Sequence, residues 1–103
     1  MNRIERIQEM ERCLDLSRQA VDRLEEAFTA YEEIQKEYRK LCDYYGSSRW
    51  LEDYEADEAG KVPRDLKRGV LSEDAVYDLI TDNHELAVRI LKVITGQLDK
   101  KMI

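Results

Sequence analysis

Residues 2–45 read NRIERIQEMERCLDLSRQAVDRLEEAFTAYEEIQKEYRKLCDYY, and the spacing of their apolar side chains decides the fold. Ile7, Leu14, Val21 and Phe28 recur every seven residues. Met10, Ser17, Leu24, Tyr31, Tyr38 and Tyr45 form a second series offset by three. Such a seam, held over more than five heptads, is the pattern of a helix that packs along its length. Toward its end the tyrosines take Ile34 and Leu41 as neighbours rather than Gln35 and Cys42. That sideways drift belongs to a helix nearer 3.6 than 3.5 residues per turn. One long, gently curved helix is therefore expected. Asn2 caps it, with Glu5 three residues on, and Gly46 ends it at a C′ position. At 1.5 Å per residue it runs roughly 65 Å.

Outward from this helix lies a connector, residues 44–70, reading YYGSSRWLEDYEADEAGKVPRDLKRGV. It holds three of the four glycines, the only proline and the only tryptophan. Ser47 or Ser48 is placed to cap a short helix to about residue 59, with Trp50, Leu51 and Tyr54 as its apolar side and Gly60 as its stop. Pro63 suits a first helical position, so Pro63–Arg68 reads as one turn closed by Gly69. Trp50, Leu51, Tyr54, Val62 and Leu66 are too many apolar groups for a solvated linker, and the connector is expected to be ordered.

Ser72 caps the last helix, favoured by Glu73 and Asp74 in its first turn, while Leu71 and Val76 stand at the N′ and N4 positions of a hydrophobic staple. Its stripe runs Val76, Leu79/Ile80, Asn83, Leu86/Ala87, Ile90 and Val93/Ile94, broad enough for more than one neighbour. Gly96 is expected to end it near residue 95, and Asp99–Ile103 to fray. Ser17 and Asn83 are single polar interruptions of the two stripes, a device that fixes register. His84 lies off the stripe with no matching ligand or nucleophile and reads as a surface residue.

The segment YYGSSRWLEDYEADEAGKVPRDLKRGVLSEDAVYDLI, residues 44–80, closely resembles a small bacterial family known only as domain of unknown function 4298. The resemblance extends over most of the chain. It implies a short, cytoplasmic, helical bacterial protein and carries no activity, substrate or catalytic residue.

Composition narrows the classes further. Charged residues make up 39% of the 103 and hydrophobic ones 43%, a balance of charged-surface helices rather than of a sandwich or a disordered chain. The net charge is −6, and only residues 61–71 are net basic, too small a face for general nucleic-acid binding. No apolar run approaches the ~18–20 residues that span a bilayer. The opening MNRIERIQEMER mixes acids with apolar residues and does not read as a secretory leader, so a cytoplasmic location is expected. Cys13 and Cys42 lie too far apart along one helix to form a disulfide and read as free thiols.

The architecture expected is all-α and one domain. A helix at about 2–45, a short helix at about 48–59 and a turn over 60–71 precede a helix at about 72–95, which folds back antiparallel as a helical hairpin or three-helix arrangement. No P-loop, nucleophile elbow, HExxH or Cys/His cluster is present, so neither a catalytic site, a metal nor a cofactor is expected. Two functional readings follow. In the first the protein is a non-enzymatic, self-associating interaction module with room for a further protein partner. A folded-back last helix is too short to cover the whole seam, leaving Ile4, Ile7, Met10 and Leu14 bare, and a two-fold dimer of antiparallel long helices hides them. In the second, Trp50, Tyr54 and Tyr77 with Arg64, Lys67 and Arg68 form an aromatic and basic pocket for an anionic ligand. Against that pocket stands a plainer arrangement, rings filling the core while the basic turn pairs with the acidic helix.

Overall fold

The computed structural model describes residues 1–100 and is all-α. Its elements are α1 (Arg3–Glu33), α2 (Gln35–Tyr45), α3 (Ser48–Glu58), a 3-10 turn (Gly69–Leu71) and α4 (Ala75–Asp99). The chain divides into two compact units, Met1–Tyr38 and the part from Arg39 onward.

The first unit is essentially one helix. Asn2 caps it in extended conformation, its Oδ1 accepting from the backbone N–H of Glu5 at 2.8 Å. Glu5 answers by accepting from the Asn2 side-chain amide at 3.2 Å, a side-chain variant of the capping box. Pairs such as Glu9–Arg12 and Arg18–Asp22 brace the polar faces. The helix expected to run unbroken to residue 45 is interrupted at Ile34. No glycine or proline causes this. Gln35 donates its side-chain amide to the Tyr31 carbonyl at 3.1 Å, the acceptor that an unbroken ladder reserves for the Gln35 backbone N–H. A side chain inserted in the ladder is a recognised cause of a helix break. The ladder resumes at once, with Tyr38 N–H bonded to Ile34 O.

No residue of α1 is buried. The seam, expected to be bare only near its N-terminus, is exposed along the whole helix, from Ile7 at 54% through Val21 at 51% to Phe28 at 53%. Spacing shows which side chains need a cover and not what supplies it.

The second unit is built around the connector. Ser47 caps α3 by accepting from Trp50 N–H at 3.3 Å. Gly60, at φ +74°, ends it. Lys61 N–H reaches Ala56 O and Gly60 N–H reaches Asp57 O, the paired bonds of a Schellman motif. A side chain at Gly60 meets no steric neighbour, so its whole cost is backbone strain. Gly60→Ala is expected to destabilise this unit by about 1–2 kcal/mol, read from a shift of the urea midpoint.

Pro63 O accepts from Leu66 N–H, giving the expected turn, and the chain then tightens into the 3-10 turn, which the sequence pattern did not indicate. Ser72, expected to cap the last helix, stands two residues short of its N-cap position, which falls to Asp74 and carries no side-chain cap bond. The Ser72 Oγ accepts from Ala75 N–H at 3.2 Å and donates to Gly69 O at 2.8 Å, and regular α-helix begins only at Ala75. Leu71 and Val76, the two staple positions, are the buried apolar residues of the described chain, at 8% and 3% exposure. At the other end α4 runs through Gly96 to Asp99, so this glycine does not stop it. A lone glycine costs a helix only about 1 kcal/mol, too little to break an established ladder. Of the segment expected to fray, Lys101–Ile103 lie outside the described residues.

Candidate functional site

The connector supplies the densest set of side-chain interactions in the second unit. Trp50 is its centre. The indole stacks on Tyr54 at 5.2 Å and 19° and meets Tyr45 edge-on at 5.2 Å and 70°. Its Nε1–H donates to Val70 O at 2.9 Å, fastening α3 to the segment that leads into α4. Two tyrosines extend the tie. Tyr54 donates to Glu73 Oε1 at 3.0 Å, and Tyr45 donates to the Glu73 carbonyl at 3.3 Å. Across the α2–α3 corner, Tyr44 donates to Asp53 Oδ2 at 2.5 Å.

These bonds shape the titration of the phenols. The Asp53 carboxylate accepts the Tyr44 proton and, with some burial, pushes that hydroxyl up to about 12. Tyr54 is raised in the same direction, first by its bond to Glu73 and then by the charge of Glu58. A phenol whose pKa is higher folded than unfolded stabilises fully below the unfolded value near 10 and loses that contribution as pH climbs through the folded value. Stability is therefore expected to fall between about pH 10 and 12. Absorbance titration at 295 nm is expected to show late-ionising tyrosine, of which the Tyr44 share moves toward 10 in Asp53→Asn. An unchanged titration in that variant removes Asp53 as the cause.

The residues proposed for an anionic pocket do not assemble as one. Trp50 and Tyr54 stack together, while Tyr77 stands apart at 61% exposure. Arg64 and Lys67 are exposed. Arg68 is half-buried and turned inward, paired with Asp57 at 3.2 Å and donating to Pro63 O. Of the basic turn, Arg68 alone is seen to pair with the acidic helix. Within the connector Trp50, Tyr54 and Val62 are half-buried, but Leu51 and Leu66 are exposed, which corrects the expectation that all five apolar groups are covered.

Sequence reasoning missed Tyr44, Asp53, Val70 and Glu73, because their partners lie around corners and not at helical spacing. It also missed an open groove of about 360 Å³, lined by Leu41, Val70, Ala75, Val76 and Leu79 with Lys67 at its charged edge. The staple Leu71/Val76 was its one visible sign. Cys13 and Cys42 are free and half-buried, and His84 is exposed. Among the described residues no group of three or more His, Cys, Asp or Glu is placed to hold a metal, and no helix is long and apolar enough to cross a membrane.

The self-association residues form a different kind of surface. Ile4, Ile7, Met10 and Leu14 are all more than half exposed on α1, and the exposed row continues through Val21, Leu24 and Phe28. Comparison with curated proteins and with solved structures gave no match. Comparison with protein families matches residues 7–93 to a domain of unknown function, DUF4298. The match takes in the α1 stripe, the whole connector and most of α4. The chain belongs to the DUF4298 family.

Proposed function

We propose that this protein is a non-enzymatic helical module whose working activity is association with a second copy of itself. The observation that carries the reading is the apolar row on α1, more than six turns long and exposed throughout. A contiguous apolar surface of that length is an association site, since a helix in water draws its stability mainly from packing its apolar face. The acids and bases on the remaining faces keep the helix soluble without competing for that row. Two free, half-buried thiols suit a reducing compartment, and we place the protein in the bacterial cytoplasm. A further protein partner has the same surface open to it.

Light scattering at tens of micromolar is expected to give twice the chain mass. Ile7→Asp combined with Met10→Asp is expected to return the mass to that of one chain, with the α3–α4 unit still folded by circular dichroism. A wild-type monomer under these conditions overturns the reading.

A further inference from the structure

We infer that the surface receiving the α1 stripe is the exposed stripe of α4 in a second copy, exchanged reciprocally in a two-fold dimer. The inference rests on the self-association proposed above and names its partner surface. Each chain bears two uncovered apolar rows. On α4, Leu79, Leu86, Ile90 and Val93 are exposed as the α1 row is. The rows are close in length, since Ile7–Phe28 spans about 32 Å and the exposed row Leu79–Leu98 about 29 Å at 1.5 Å per residue. They also match in register. Laid antiparallel, Ile7 faces Val93, Met10 faces Ile90, Leu14 faces Leu86 and Val21 faces Leu79, the steps of three and four agreeing at every place. In that register the one polar residue of each row, Ser17 and Asn83, fall opposite one another.

Charge agrees as well. The part of α1 around Val21 and Leu24 then lies over the groove at Ala75, Val76 and Leu79, bringing the acid Glu25 toward Lys67 at the groove edge. Closure favours the exchange over α1 packing on α1. Pairing the two α1 helices leaves both α4 rows in water, whereas reciprocal exchange covers all four rows in one closed two-fold assembly. Two strips about 32 Å and two about 29 Å long, each about 10 Å wide, bury about 1,200 Å², at the lower edge of stable interfaces, and α1 on α1 alone buries about half of that.

Mixing two variants tests the exchange. Val21→Asp spoils the α1 row and Ile90→Asp the α4 row. Each variant alone is expected to scatter as a monomer, because both interfaces of its own dimer carry a charge. An equimolar mixture is expected to scatter above the monomer mass as concentration rises, since one of the mixed pair's two interfaces carries neither charge. An Ile90→Asp chain that stays dimeric, or a mixture that stays monomeric, overturns the exchange while leaving self-association through α1 in place. A monomeric wild type overturns both. Helicity of each variant is checked by circular dichroism, and Val93→Asp, at a more exposed place on the same row, replaces Ile90→Asp if the latter unfolds.

Discussion

Trp50→Ala is expected to destabilise the unit from Arg39 onward by about 3 kcal/mol in urea unfolding followed by circular dichroism. Removing a large aromatic from a packed site costs about 3–5 kcal/mol, and a half-buried ring belongs at the lower end. Three losses combine. The stack on Tyr54 and the edge contact with Tyr45 disappear, each of a kind that adds about 0.5–1.5 kcal/mol beyond burial. The Val70 carbonyl loses its donor. The short α3 also loses its tie to the turn before α4. Trp50→Phe keeps most of the packing and is expected to recover all but about 1 kcal/mol, the share of the missing N–H. A loss under about 1 kcal/mol for the alanine variant shows that the ring is not what holds the connector.

Val76→Asp is expected to cost more, about 4 kcal/mol or above, and to leave α3 and the start of α4 unfolded at room temperature. Val76 is the most buried side chain described, and its surroundings along the groove are apolar apart from Lys67 at the edge. Lys67 is the one charged side chain described along the groove and sits at its edge, and a poorly paired buried charge is among the few single changes that remove most of a small unit's stability. Val76→Thr, nearly the same in shape, separates the charge from the loss of volume and is expected to fold. Native circular dichroism in Val76→Asp refutes the staple as the unit's anchor.

The staple shows what was legible in the sequence. Leu71 and Val76 were marked by their spacing about Ser72, and they are the buried apolar residues among those described. The caps at Asn2 and Ser47 and the stop at Gly60 were legible for the same reason. Each is a bond between near neighbours that residue type and spacing specify. What was not legible depends on geometry that spacing does not carry. The break at Ile34 arises from one glutamine side chain reaching a carbonyl, with no breaker residue to announce it. Gly96 looked like a stop and lies inside a helix. The bond from Trp50 to Val70 spans twenty residues, and only the folded connector brings its ends together. The seam on α1 was legible as an apolar row, and its side chains are exposed, but spacing is silent on any partner.

The chain has a single tryptophan, and its indole is tied at every edge to the connector: to Tyr45, Tyr54 and the Val70 carbonyl. Its fluorescence therefore reports on the second unit alone. The far-ultraviolet helix signal is weighted instead by α1, the longest helix at 31 residues and one without a buried side chain. The two optical signals watch different halves of the molecule during the same titration. A helix signal that decays before the emission shifts marks an α1 melting by itself, without a partner on its stripe. Coincident curves whose midpoint rises with protein concentration mark a stripe that is covered in solution, and they do so without any mutation.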